Sequence, residues 1–416
     1  MNRLLKEQAK SLDIADPLAK CKQQFSLPTQ VIYLDGNSLG ALPLSAEKRA
    51  QEVVKEQWGK DLIKSWNCHQ WIDLPEIVGA KLSRIIGCAK DEVICCDSIS
   101  VNLTKVLCSA LSINSERKII MSESGNFPTD LYMVQGLQAL LGEKRCELLT
   151  VDVDNIESVI DARGNEIALL LLSHVDFRTG KIKSMEKITQ IAHDNGVLVC
   201  WDLAHSAGIL PVLLNQADVD FAVGCTYKYL NGGPGAPGFV YVKRALHERI
   251  KQPLTGWMGH ATPFDFSNNY EASEGIRAML AGTPSIISMS VLDAALDVFE
   301  LLDMHQVWQK SLALSDFFHQ CLTQLCPNNG LEYLSPDNAH RGGQLAYTHP
   351  HAYQICQALI ARNIIGDFRA PNILRLGFSP LYLSYKDMVT AANILADIMQ
   401  NKTYLAPEYS QKTKVT

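Results

Sequence analysis

Between residues 118 and 242 the chain alternates short apolar runs with stretches of helical period. The runs Lys118–Met121, Ile167–Leu172, Val197–Trp201, Phe221–Gly224 and Gly238–Val242 have the length and bounding residues of buried strands. Between them, Thr129–Leu141 and Met185–Asn195 repeat apolar residues at helical spacing, and Gly196 stands where the second should stop. This alternation predicts parallel βαβ units and an α/β core. Pro284–Met304 and Gln306–Leu325 then read as long helices, and a shorter α/β region follows from about Gly342 to Ile398, with strands near Leu345 and Ile373. The expected division is an N-terminal segment (1–45) serving a small domain and the active site, a large domain (46–305), a small C-terminal domain (306–400) and a mobile polar tail (401–416).

Composition narrows the partners. The chain has 416 residues, 38 Lys+Arg against 44 Asp+Glu and a net charge of −6, so no basic excess is present to neutralise a nucleic-acid backbone. A small molecule is the expected partner. The opening MNRLLKEQAKSLDIADPLAK is charged throughout and lacks an apolar core or cleavage site, and the most apolar run, Ile167–Leu172, is too short to cross a bilayer. A cytoplasmic protein without a membrane partner is therefore expected. Cys88, Cys108, Cys200 and Cys225 lie in apolar runs and read as reduced core residues. Vicinal Cys95 and Cys96, and the neighbours Cys68 and His69, have no second pair at zinc-like spacing, so no metal is expected.

The chemistry gathers at strand ends. In VLVCWDLAHSAG a buried strand delivers Asp202 to the carboxyl edge of the sheet, where open α/β sheets bind ligands; the same Asp would equally suit a turn cap. After one more strand, GCTYKYLNGGPG places Lys228 in a loop between Tyr227 and Tyr229. A loop lysine is ordinarily a solvated charge, but desolvation beside aromatic surface lowers an amine pKa, as a carbonyl-condensing nucleophile requires. Ser98 or Ser100 stands just before the helical run VNLTKVLCSAL, and Thr283–Pro284 has the form of an N-cap followed by proline. Either is a ready anion site or an ordinary cap. Arg375 lies inside the apolar strand ILRLGF and needs an anionic partner, either an internal acid or a substrate carboxylate. Asn37 in DGNSLG suits a turn or the same carboxylate.

These segments resemble pyridoxal-phosphate (PLP) enzymes of the aminotransferase-like fold, in the branch of cysteine desulfurases, phosphoserine aminotransferase and kynureninase. Within that branch the resemblance to the kynureninase family is close. In family order the chain carries YLDGNSLG (33–40), SWNCHQWIDLP (65–75), DSISVNLTKVL (97–107), GNFPTDLY (125–132), HVDFRTG (174–180), WDLAHSAG (201–208), TYKYLNGGPG (226–235), LTGWMGHATPF (254–264), GTPSI (282–286) and IGDFRAPNILRLGFSPLY (365–382).

The resemblance implies an α/β fold with a large central-sheet domain and a smaller C-terminal domain, PLP as cofactor, and a homodimer with shared sites. Lys228 would carry the cofactor and Asp202 would face its ring nitrogen, with His205 in support. Phe127, Pro128, Thr129 and Asp130 would surround the ring. Ile99, Ser100 and Tyr227 would hold the phosphate end, Ser173 would bring a hydroxyl near the cofactor, and Trp257 and Thr283 would arrive from the second copy. Arg375 and Asn37 would take the substrate carboxylate, and Trp66, His69 and Gly282 would border its aromatic ring, although core packing accounts equally for the tryptophan. The implied reaction is hydrolysis of L-kynurenine to anthranilate and L-alanine in tryptophan catabolism, a route that also feeds NAD biosynthesis, with Tyr227 as proton donor. Family members that favour the 3-hydroxylated substrate carry asparagine where this chain has Gly282, so preference for L-kynurenine is expected. A desulfurase would place a histidine on the ring and a reactive cysteine in the small domain; here those stretches read GNFPTD and AHRGGQLAY.

Overall fold

In the computed structural model, which describes residues 2–411, the apolar run at 167 becomes the strand Ile167–Ser173, buried over its whole length. It lies within a seven-stranded sheet. Leu198–Asp202 and Phe221–Cys225 follow on one side, Ile119–Glu123 and Glu147–Val151 on the other, all parallel. Gly238–Val242 departs from the expected parallel units: it pairs antiparallel with Phe221–Cys225, and Val93–Cys95 pairs antiparallel with it in turn. Residues 226–237 contain no helix, so the chain turns straight back and makes no crossover of the kind a parallel pair requires.

Successive side chains of a strand point to opposite faces, and that alternation divides the core. Ile119, Met121, Leu170, Leu172 and Trp201 join one apolar cluster, while Ile120, Leu169, Leu171 and Cys200 join another. Helices Ile99–Ile113 and Pro128–Leu141 cover the second face through Leu103, Val106, Leu107, Val134 and Leu137. The first cluster continues through helices Leu74–Ile86 and Met304–Leu325 into the C-terminal layer. Cutting any of these buried leucines to alanine should cost about 2 to 5 kcal/mol.

The C-terminal layer is a four-stranded antiparallel sheet in the order Glu332–Tyr333, Gln344–Thr348, Ile373–Gly377, Asp367–Arg369. The chain's beginning is built into it. Ile32–Tyr33 pairs parallel with Ile364–Ile365, and Asp13, on helix Asn2–Ala15, accepts the backbone N–H of Tyr385 (2.7 Å) and Lys386 (3.1 Å) at the start of helix Tyr385–Gln400. A carboxylate there meets otherwise unpaired donors and the positive end of the helix dipole.

Two other expectations change. The helix expected over Pro284–Met304 spans only Ile286–Ala295, continues as a 3-10 turn to Phe299, and gives way to a new helix at Met304 whose cap, Asp303, accepts from His305 N at 2.9 Å. The stretch after Asn401 folds back as 3-10 turns at Thr403–Leu405 and Pro407–Ser410, because Tyr404 has an apolar face to bury and is 7% exposed. Residues 412–416 of the expected tail lie outside the described residues.

Candidate active site

Ser173, Asp202 and Cys225 end adjacent strands on one edge of the large sheet, and a cavity of about 190 Å³ opens there. Lys228 reaches it from the tight connection after Cys225. That connection is pinned at several points: Thr226 Oγ1 donates to Pro237 O (2.6 Å), Tyr229 Oη to Gly343 O (3.0 Å), and Asn231, in the left-handed region at φ 58°, donates through its backbone N–H to Lys228 O (2.9 Å). Gly40 closes the loop from the other side, its N–H on Tyr227 O at 2.7 Å. A Cβ at Gly40 would run into Lys228 O, so only glycine permits this approach.

Lys228 Nζ lies 5.8 Å from the Phe127 ring centre and 3.1 Å from His205 Nε2. The expectation that His205 supports Asp202 is corrected here. Asp202 Oδ1 accepts the Ala204 N–H at 2.8 Å, making the tight turn that sends the His205 ring to Lys228 instead. Burial, and then the charge of Lys228, hold His205 well below its ordinary range, which favours the neutral imidazole beside Lys228 Nζ.

Asp130 faces the same cavity from the first turn of helix Pro128–Leu141. Pro128 is exposed and does not line the cavity, but its fixed φ starts that turn. Neither oxygen of Asp130 accepts a hydrogen bond of normal geometry, although the residue is 0% exposed. Burial, followed by the charge of Asp202, pushes its carboxyl well above the usual range. Asp202 is also raised by burial, with Lys228 opposing. Two buried acids thus converge on a space that supplies them one lysine and few donors.

At the other end, Ser98 caps helix Ile99–Ile113 by accepting Val101 N–H at 3.4 Å, and Ser98, Ile99 and Ser100 line the cavity with that helix N-terminus. Gly238 lets the helix come close, since a Cβ there would sit 3.1 Å from Ile99 N. Ser173 also lines the cavity, but its hydroxyl is already given to Asn126 Oδ1 at 2.6 Å. Its strand end is fixed by Lys183, which donates to Ser173 O (3.1 Å) and pairs with buried Glu123 (2.6 Å). Tyr227 and Thr129 complete the wall; burial, then Cys225, push the Tyr227 phenol up.

Arg375 sits beside this cavity rather than in its wall, 1% exposed. The sequence left its partner open between an internal acid and a substrate. In the structure Asp367, opposite it across antiparallel strands, pairs with Nη2, while Ser38 Oγ (3.1 Å) and Phe177 O (2.5 Å) accept further bonds. With its amide oxygen turned inward, Asn37 accepts from Arg375 Nε at 2.9 Å and Nη2 at 3.2 Å. Phe177, whose ring packs edge-on to Phe127 at 5.1 Å, thereby links Arg375 to the cavity.

The chain is 46% identical to a kynureninase of Burkholderia mallei over 99% of both sequences. It belongs to the kynureninase family. Residues 307–395 match the kynureninase C-terminal domain. The fold is that of the PLP-dependent aminotransferase-like enzymes: a cysteine desulfurase from Thermococcus onnurineus superposes with a TM-score of 0.75 at 20% identity, covering 92% of this chain and 98% of that one. A mutant C-DES with glycine covalently linked to its PLP cofactor superposes at 0.77 and 18% identity, covering 90% and 98%.

Ten of the residues that kynureninase likeness singled out line the cavity together: Ile99, Ser100, Phe127, Thr129, Asp130, Ser173, Asp202, His205, Tyr227 and Lys228. Five others do not. Trp66 packs edge-on to Trp71 at 5.9 Å, and His69 Nε2 bonds to Asp61 Oδ2 at 2.8 Å. Trp257 packs on Phe264 (5.6 Å) and is 39% exposed, while Gly282 and Thr283 are exposed. Thr283 is not an N-cap, because Ser285, at ψ 75°, occupies the position before the helix that starts at Ile286. Sequence reasoning missed Phe177, although the motif HVDFRTG contained it, and it missed Asp367, whose signal was the demand of buried Arg375 for an acid.

Proposed function

We propose that this chain hydrolyses L-kynurenine to anthranilate and L-alanine, with PLP held at Lys228, as a step of tryptophan catabolism. The observation that carries the reading is the pair of buried acids, Asp130 and Asp202, facing Lys228 in one cavity of a kynureninase-family chain. Neither oxygen of Asp130 accepts a hydrogen bond of normal geometry, and a cationic ring would supply a partner. PLP supplies an electron sink for the substrate's α-carbon when its ring nitrogen is protonated.

Each side chain then has a task. Asp202 would present negative charge to the ring nitrogen, Phe127 would pack on the ring face, and the start of helix Ile99–Ile113 would offer N–H groups to the phosphate. The Lys228 amine, beside neutral His205, takes and returns the α-proton. The raised Tyr227 phenol keeps its proton until it is delivered to the substrate's β-carbon. Arg375 and Asn37, joined to each other, take the α-carboxylate, with Arg375 exchanging part of its hold on Phe177 O or Asp367.

A homodimer completes the site in this reading, with Trp257, Gly282 and Thr283 reaching the second copy's cavity. Their exposure, and that of Phe264 (60%) and Ile287 (44%), supports association through this surface. A cytoplasmic setting is supported by twelve cysteines that are all free, and among the described residues no helix is long and apolar enough to cross a membrane.

The decisive assay uses the purified PLP-loaded chain. It should show a visible band bleached by borohydride, release anthranilate from L-kynurenine and release no sulfide from L-cysteine; sulfide without anthranilate would overturn the assignment. Substrate choice follows from Gly282, which offers no side-chain partner to a ring hydroxyl. L-kynurenine should be preferred over 3-hydroxykynurenine by roughly 10 to 100-fold in kcat/KM. A Cβ at Gly282 meets nothing within 4 Å, so Gly282→Asn fits and should narrow the ratio. Equal use of both substrates by the unmodified chain would refute this role.

A further inference from the structure

Away from the cavity, Asp61, Cys68 and His69 each present one ligand atom, and the three atoms lie within 4.8 Å of one another. Local spacing singled out only the neighbours Cys68 and His69, since Asp61 is an ordinary acid seven residues before Cys68. The fold brings them together. Asp61 ends the wide helical turn Val53–Asp61, Cys68 ends the short helix Ser65–Cys68, and His69 is its C-cap. Gln57, one turn before Asp61, clamps the two pieces: its carbonyl accepts from Ser65 Oγ (2.6 Å) and its side-chain Oε1 from Trp71 Nε1 (2.8 Å). The separation between Asp61 and the Cys68–His69 pair is therefore set by groups that are not themselves ligands.

The donor set is one carboxylate oxygen, one imidazole nitrogen and one thiol sulfur, a mixture that suits a borderline cation such as Zn²⁺ and not Mg²⁺ or Ca²⁺. Tetrahedral Zn²⁺ with bonds of about 2.0 to 2.3 Å holds its ligand atoms roughly 3.3 to 3.8 Å apart, so small side-chain movements close the shell. Access is open. The His69 and Asp61 side chains are 28% and 37% exposed, and Cys68 is the exposed member of the twelve free cysteines. Lys64, 3.7 Å from Asp61 Oδ1 and 73% exposed, can swing into solvent.

We infer that Asp61, Cys68 and His69 form a site for a zinc-like divalent transition metal, with three protein ligands and an open fourth position. Binding releases the Cys68 thiol proton to solvent, leaves any His69 ring hydrogen on Nδ1, and replaces the Asp61–His69 hydrogen bond with two metal bonds. His69 thereby serves the metal and not the substrate.

The full PLP-loaded chain, freed of metal with a chelator and dialysed, is titrated with Co²⁺ and followed by difference absorption. A thiolate-to-cobalt charge-transfer band should grow to one equivalent per chain and be discharged by one equivalent of Zn²⁺. Cys68→Ser, at an exposed position that the fold does not need, should abolish the band. His69→Ala and Asp61→Asn should each weaken Co²⁺ binding by at least about tenfold. A band that survives Cys68→Ser, affinity unchanged in both other variants, or no band at a tenfold excess of Co²⁺ would each overturn the site.

Discussion

Asp130 and Asp367 are buried to the same degree, 0% and 1% exposed, in opposite surroundings. Asp130 accepts no hydrogen bond of normal geometry, and its carboxyl is pushed up by burial and by Asp202. Asp367 is packed against the guanidinium groups of Arg375 and Arg369 and accepts from the Ser38 hydroxyl. A buried carboxylate without partners costs several kcal/mol, and removing one member of a buried pair costs as much. The contrast separates side chains that face the cavity from the frame that holds them.

That contrast breaks most visibly at Lys228, which faces both acids of the cavity. Lys228→Ala should lower anthranilate release by at least about 1,000-fold, and borohydride should no longer fix PLP covalently to the chain. Ordinary turnover would show that the cavity is not the reacting centre. On the frame side, Asp367→Asn leaves Arg375 buried without its acid and should cost about 3 to 5 kcal/mol in urea unfolding. A loss below about 1 kcal/mol would mean that the pair holds nothing in place.

Asp35 stands between the two cases. Burial first, and then the charge of Asp367, raise its carboxyl to about 7. The folded state therefore holds this proton more tightly than the unfolded chain. Its contribution is fully present below the ordinary carboxylate range and is lost as pH rises toward about 7. Relative to Asp35→Asn, the unmodified protein should lose about 2 to 4 kcal/mol of stability between pH 4 and pH 7. Parallel stability profiles for the two proteins would remove Asp35 from the account.

The same contrast explains what could be read from the sequence. Strand positions at 167–172 and 198–201 were legible because continuous apolar runs bounded by helical pattern leave little choice. The direction of Gly238–Val242 was not, since an apolar run carries no arrow and only the missing helix over 226–237 revealed the hairpin. Glu147–Val151 and Val93–Cys95 are too short or too mixed to stand out. In the site, Lys228, Asp202, Asp130 and Phe127 were legible through their motifs. Partnerships were not: His205 turned to Lys228, Arg375 found Asp367 through a strand register, and Cys68 and His69 met Asp61 across a turn. Such pairings depend on tertiary placement, which local pattern does not encode.

The most direct test compares unfolding of Asp130→Asn and the unmodified protein at pH 8, each with and without PLP. An amide removes the cost of burying an ionisable carboxyl and keeps the shape, so without PLP the variant should be as stable or more stable, by about 1 to 2 kcal/mol, and it should gain less than the unmodified protein when PLP is added. If Asp130→Asn instead destabilises the PLP-free protein as much as Asp367→Asn does, Asp130 belongs to the frame and the contrast between the two acids fails.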